Sequence, residues 1–315
     1  MVETEQTDVA IMGAGMAGLV AAVDLVSSGV DVLVFEKADR PGGSMRISNG
    51  AIWTYLPYER LRDRAPDGDP VLQRLLADRF EDDLAWLESI GASFAPLTFE
   101  IPGTGTEVDP ASLTDHLVDL IETDGGELRL RTPVDSIRTD DDGTVVGLTA
   151  MAAEAERLTV EASAVVIATG GFQGNESLLE RYVVDDSSRL YLRSVPHCTG
   201  DGLLSAEDVG AKTTGGLGTF YGHGLVAPPA EFTADEFADA SQYYGSAAVA
   251  LDRHGERFTD ESESSFEETL AQDVAARTDG RAYYVFDGHI ADRSFGYRRA
   301  EEIHHAAGEF GGRTA

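Results

Sequence analysis

One cysteine, two lysines and no long apolar run mark this chain of 315 residues. The single Cys198 permits neither an internal disulfide nor a multi-cysteine metal site, so no metal is expected and a reducing compartment, the cytoplasm, is the expected location. Its ordinary role is that of a small buried apolar side chain. No apolar stretch approaches the roughly 18 to 20 residues of a membrane span, and the N-terminus is acidic, without the basic region that opens a secretory signal. Lys37 and Lys212 are the only lysines, and 24 basic residues face 56 acidic ones. A net charge of -32 argues against nucleic acid as a partner. The acids are spread along a well-patterned chain, with clusters at Asp140, Asp141 and Asp142 and at Glu261, Glu263, Glu267 and Glu268. Such a surplus repels itself in dilute buffer, so the expectation is a halophilic protein rather than a disordered one.

What is present is a chain able to bury a large core, 42% hydrophobic and long enough for about two domains. Asp8 to Met12 reads as a short buried strand that runs into Gly13-Ala14-Gly15-Met16-Ala17-Gly18. A helix follows, with Leu19, Ala22, Val23 and Val26 on one face and Gly29 at its end; a second strand from Val30 closes at Phe35, before Glu36. This is one βαβ unit. An amphipathic helix is expected between Val71 and Ile90, carried by Leu72, Leu75, Leu76, Phe80, Leu84 and Leu87. Asp109-Pro110 starts another, which runs to Gly125. From Leu128 to Val160 short strands form a small antiparallel excursion that turns at Asp142-Gly143. Ala164 to Ala168 returns to the main sheet and opens into Thr169-Gly170-Gly171. Helices are expected from Asn175 to Tyr182 and after Thr199-Gly200-Asp201-Gly202. From about Leu217 the composition shifts toward Gly, Tyr and Phe and includes Pro228-Pro229, which marks a second domain.

The chemistry concentrates at the first turn. In a dinucleotide site one glycine permits the tight turn, a second lets backbone approach a diphosphate, and a third lets helix pack on strand. Gly13, Gly15 and Gly18 fill those places, and the positive end of the following helix faces the diphosphate. Glu36 ends the next strand at the distance suited to holding a ribose hydroxyl pair. Pro41-Gly42-Gly43-Ser44 is either a plain surface turn or a second backbone approach to the cofactor.

The ordered run GAGMAG, FEK, PGGS, ISNGAIW, IATGGF, TGDGLLSAEDVGA and DRHGERFTDE resembles the flavoprotein family of fumarate reductase and succinate dehydrogenase, with its 3-ketosteroid and tricarballylate dehydrogenase relatives. The resemblance covers essentially the whole chain. It implies an α/β, Rossmann-like FAD-binding domain over 1–216 and a partial, inserted α+β cap over 217–315. It places Gly13, Gly15, Ala17 and Gly18 at the diphosphate and has Glu36 and Lys37 flank the ribose. Gly42, Gly43 and Ser44 would approach diphosphate and ring, while Asn49 and Gly50 would lie against the isoalloxazine. The Val134 backbone would meet the adenine, Gly170 would line the crevice, and Asp201 would stand near the flavin side. His223 would bind substrate from the cap. Ser44 and Met45 stand where covalent relatives carry a histidine, which implies noncovalent FAD.

Two departures matter. Glu263-Ser264-Ser265-Phe266 replaces the stretch whose arginine delivers a proton in fumarate reductases, so a dehydrogenase fits better than true fumarate reduction. Relatives also continue beyond the equivalent of Ala315, so a C-terminally incomplete chain is expected. Tyr243 and Tyr244 are expected to pack, with acid-base work as their alternative. The activity implied is FAD-dependent oxidation or reduction at a CH-CH bond next to a carboxylate or carbonyl. Its substrate would be a small molecule such as a dicarboxylate or ketosteroid, and the electron acceptor is open. A noncatalytic flavin-binding remnant and an NAD-dependent dehydrogenase are the alternatives.

Overall fold

A computed structural model describes residues 3–97, 103–151, 156–227, 236–263, 268–295 and 298–309. In chain order the elements are β1 (Glu3–Met12), α1 (Met16–Ser27), β2 (Val32–Phe35), β3 (Ala51–Thr54), α2 (Tyr58–Arg64), α3 (Pro70–Ser89), β4 (Thr104–Glu107), α4 (Pro110–Thr123), β5 (Glu127–Arg129), β6 (Val134–Thr139), β7 (Val145–Met151) and β8 (Arg157–Ile167). Then follow α5 (Glu176–Tyr182), α6 (Asp201–Asp208), α7 (Phe237–Ala240), β9 (Val249–Leu251), α8 (Glu268–Arg277), β10 (Tyr283–Val285), α9 (Gly288–Ala291), β11 (Ser294–Phe295), β12 (Arg298–Arg299) and α10 (Ala300–Glu309). They form two compact units, one of residues 1–171 with 200–212, the other of residues 172–199 with 213–315. The expected boundary at 216 leaves out the segment 172–199, which clusters with the later residues.

The first unit is a six-stranded sheet of order β5-β2-β1-β8-β7-β6. β5, β2, β1 and β8 are parallel, whereas β8, β7 and β6 are antiparallel. Alternation along the parallel strands sends Ile11, Val32 and Val34 to one face. There they pack with Leu19, Val23 and Val26 of α1 and Leu113, Leu117 and Ile121 of α4. The opposite face sends Ala10, Met12, Leu33 and Phe35 onto Leu148, Ala150, Leu158 and Val160. Both faces are thus covered, as a parallel sheet requires.

The antiparallel excursion is not separate from the returning strand. β8 is one strand of 11 residues that pairs with β7 through its first half and with β1 from Leu158 to Ile167. The sequence hides this because Leu158, Val160 and Ala162 alternate with polar neighbours, whereas Ala164 to Ala168 reads as a continuous buried run. Helix starts follow their signals. Asp69 accepts from the Val71 and Leu72 amides, Asp109 from that of Ser112 and Asn175 from that of Leu178, and proline opens α3 and α4. α3 departs from its pattern: Phe80 and Leu87 are buried, but Val71, Leu72, Leu75 and Leu76 are exposed.

In the second unit Tyr244, Ala248, Ala300 and Ile303 form a core with Tyr243, Tyr284 and Phe286 packed against it. Cys198 is buried. Among the described residues no helix is long and apolar enough to cross a membrane, and no cluster of acids, histidines and cysteine could hold a metal.

Candidate functional site

The turn after β1 is a place where backbone meets backbone. A Cβ on Gly13, whose φ is 103°, would stand 2.5 Å from the Ala168 carbonyl oxygen. One on Gly18 would stand 1.9 Å from that of Gly13. Glycine is therefore obligatory where β1, α1 and the end of β8 converge. Gly15 differs: its φ of -78° suits any residue, and nothing lies within 4 Å of its missing Cβ. Its glycine leaves room for a ligand at the N-terminus of α1, where no side chain caps the helix and no acid stands in the first turn. Ala17 is exposed in that first turn.

The other expected residues collect around this turn in the first unit. The Gly13 amide donates to Phe35 O at 2.7 Å, and Ala168 N to Met12 O at 2.8 Å, which levels the ends of β1, β2 and β8. The Glu36 carboxylate is buried; Oε2 accepts from Ala14 N at 2.9 Å and Oε1 from Ala38 N at 2.8 Å. Gly42 N donates to Ala14 O at 2.7 Å, and a Cβ on Gly43 would lie 3.4 Å from Gly15 Cα, so the double glycine closes against the first turn. Ser44 follows in a 3-10 turn from Gly43 to Ile47. Asn49 is exposed, and Gly50 abuts Val108, where a Cβ would sit 1.9 Å from the carbonyl oxygen.

Beyond β5 the chain turns through Arg131, whose φ of 53° is left-handed. Arg131 N donates to Ala38 O and Thr132 N to Glu36 O, both at 2.9 Å, and this brings Val134 to the same strand end. Gly170 takes φ 73° just past β8. Lys37 Nζ and Asp201 Oδ2 are 2.6 Å apart, with Asp201 in the first turn of α6. One spot thus holds two residues to which the resemblance gave opposite ends of the cofactor. Thr169 Oγ1 accepts from Gly202 N at 3.2 Å and draws the start of α6, with Asp201, to the end of β8, where the Lys37 side chain reaches it.

Sequence reasoning missed Ala14, Ala38 and Thr132, because they act through backbone groups that every residue carries. Thr169 had a signal, as a hydroxyl directly before Gly170-Gly171.

His223 belongs to the second unit. Its Nε2 lies 3.0 Å from the Tyr221 hydroxyl, and its ring meets Tyr221 and Tyr243 edge-on at 5.1 and 4.9 Å. Burial, with the positive charge of Arg193 added, pushes its pKa down to about 3. Tyr221 is exposed as a residue, but desolvation around its hydroxyl and the charge of Glu268 raise its pKa, and burial raises that of Glu268. Arg193 was missed, since it lies about 30 residues upstream in sequence with no motif to mark it. Tyr244 is packed in the core with its hydroxyl on Gln242. Ser264 to Phe266, the stretch lacking the arginine, lies outside the described residues.

A parallel sheet with a glycine turn, a helix N-terminus and a carboxylate at the next strand end defines a dinucleotide-binding α/β protein. The sequence profile of the family described as FAD binding domain matches residues 8–313, and the chain belongs to that family, with FAD as its cofactor. It is 25% identical over 311 residues to fumarate reductase (cytochrome) of Shewanella frigidimarina, covering 91% of this chain and 53% of that protein. It is 28% identical over 281 residues to vinyl phenol reductase of Lactiplantibacillus plantarum, covering 81% and 56%. The fold matches the crystal structure of 3-ketosteroid delta1-dehydrogenase from Sterolibacterium denitrificans with TM-score 0.73 at 16% identity, over 93% of this chain and 71% of that one. The chain spans about half the length of the two relatives matched by sequence.

Two predictions follow from this geometry. Gly15→Ala fits the backbone without strain, so the FAD-free protein should melt as the native one does while FAD affinity falls at least about tenfold, measured by flavin fluorescence quenching; equal affinity would contradict the cradle. For His223 the folded value lies below the free value of about 6.5. The unfolded chain therefore takes up the proton first, and the neutral ring stabilises the fold above about pH 6.5, an effect lost as pH falls toward 3. Ring NMR signals of His223 should stay constant from about pH 8 to about pH 5, whereas a midpoint near 6.5 would contradict the placement.

Proposed function

We propose that the chain is the flavin-carrying part of an FAD-dependent oxidoreductase that adds or removes two electrons at a carbon-carbon bond beside a carboxylate or carbonyl. One observation carries the reading: a glycine turn whose middle position alone leaves room, tied at Ala14 to the buried carboxylate of Glu36. The relatives' names support the reaction class, joining reductases of fumarate and of a vinyl phenol to a ketosteroid dehydrogenase.

In this reading Gly13, Gly15, Ala17 and Gly18 hold the diphosphate against the amides of α1. Glu36 has acceptor capacity left after its two amide bonds and takes the ribose hydroxyls. Lys37 lies beside it and pairs with Asp201, which stands near the flavin side of the site. The Val134 backbone meets the adenine, Gly42, Gly43 and Ser44 approach diphosphate and ring, Asn49 and Gly50 approach the ring, and Gly170 lines the crevice. The bound flavin supplies hydride exchange. His223 contributes a neutral imidazole to substrate, which orients by hydrogen bonding rather than by charge. FAD is held without a covalent bond, since Ser44 and Met45 offer no imidazole. The compartment is the cytoplasm, and the acid surplus is an adaptation to high salt.

Purified protein should show flavin absorbance that bleaches on anaerobic addition of a dicarboxylate or ketosteroid. His223→Ala should slow bleaching tenfold or more at unchanged flavin content. A colourless protein that works with NAD alone would overturn the reading. The melting temperature should climb as potassium chloride is raised; a value that holds steady down to low ionic strength would remove the salt adaptation.

A further inference from the structure

The stretch from Gly42 to Gly50 in the first unit has buried ends and an exposed crest: Gly42 and Gly50 are buried, whereas Ile47, Ser48 and Asn49 are open to solvent. The residues from Val108 to Asp115, which lead into α4 and open it, hold this stretch at both ends and in the middle. At one end Val108 N donates to Gly50 O at 3.0 Å, and a Cβ on Gly50 would stand 1.9 Å from Val108 O and 3.2 Å from Pro110 Cδ. At the other end a Cβ on Gly42 would stand 3.0 Å from Thr114 Oγ1 and 3.1 Å from the Thr114 methyl group. Between them Arg46 Nη1 donates to Asp115 Oδ1 at 2.8 Å, and Met45 packs against the core that contains Leu113 and Leu117.

Thr114 is fully buried on a helix face that otherwise carries Leu113, Leu117 and Ile121. Its hydroxyl donates to Pro110 O at 2.7 Å within α4, so this polar group is satisfied without the loop. What Thr114 gives the loop is shape. Its side chain fills the space that a larger residue at position 42 would need, and so sets how closely the double glycine approaches α4; interiors packed this tightly tolerate little added volume. Arg46 works differently. The Asp115 side chain is 64% exposed, so the ion pair is weak, and its contribution is to fix the direction in which the middle of the loop leans.

We propose that Thr114 and the pair of Arg46 and Asp115 are positioning residues for the flavin, which act by setting the height and tilt of the loop from Gly42 to Gly50 rather than by touching the cofactor. This rests on the reading that the loop approaches diphosphate and ring. α4 is anchored in the core of the sheet through Leu113, Leu117 and Ile121, so the loop has a rigid base. A loop fixed before its ligand arrives gives up less freedom on binding, and a small displacement of its base is passed on to the crest.

The test titrates the full FAD-free chain with FAD, following flavin fluorescence and the visible circular dichroism of the bound ring. Arg46→Gln and Asp115→Asn should each weaken binding about threefold while the FAD-free variants melt as the native chain does. The double variant should be no weaker than either single one, and the exchanged pair, Arg46→Asp with Asp115→Arg, should recover part of the loss. Thr114→Ile should weaken binding about tenfold and alter the visible dichroism, a signature of the ring's surroundings that a general loss of stability would not move. Should that variant fail to fold, the surface pair decides. Native affinity in folded Thr114→Ile or in either single variant of the pair overturns the proposal, as does a double variant whose loss is the product of the single ones. A native chain that binds no FAD is a different outcome: it overturns the flavin reading itself.

Discussion

The structure depends on a crowding constraint: at the end of β1 three backbones come so close that no side chain fits between them. Gly18 lies against the Gly13 carbonyl, and Gly13 against that of Ala168. Because α1 is pressed onto the sheet there, its first turn lies level with the ends of β1, β2 and β8, and its free amides point over the strand ends. The buried Glu36 carboxylate fixes the same turn from the other side through Ala14. Both depend on the two covered faces of the sheet, which keep water from competing for these backbone groups.

Much of this was legible in the sequence. Each of the first unit's long helices announces itself through a capping aspartate and proline or through the glycine turn, and Glu36 follows from its place at a strand end. Three things were not legible. The continuity of β8 was masked by a change of pattern at mid-strand, where two partners give way to one. The exposure of Val71, Leu72, Leu75 and Leu76 contradicts their spacing, since periodicity says which residues share a face but not what covers it. The meeting of Lys37 with Asp201 is a tertiary contact across 164 residues, beyond the reach of any local rule.

Charge is managed differently in the two units. Around the glycine turn, acids serve as acceptors for backbone amides, and one of the two lysines is paired with Asp201. Around His223, two aromatic rings, the positive charge of Arg193 and the partly buried Glu268 set the field.

The long strand β8 has a mechanical consequence. Its register against β1 runs from Glu3 with Leu158 to Met12 with Ile167, so the height at which Thr169 and Gly170 emerge is measured out from the distant end of the strand. A slip by a single position would turn Leu158, Val160 and Ala162 outward and carry Ala168 off Gly13 at the same time. The strand works as a ruler: the register taken at its first residues, against β7 and the start of β1, sets the alignment of the loop that faces the turn.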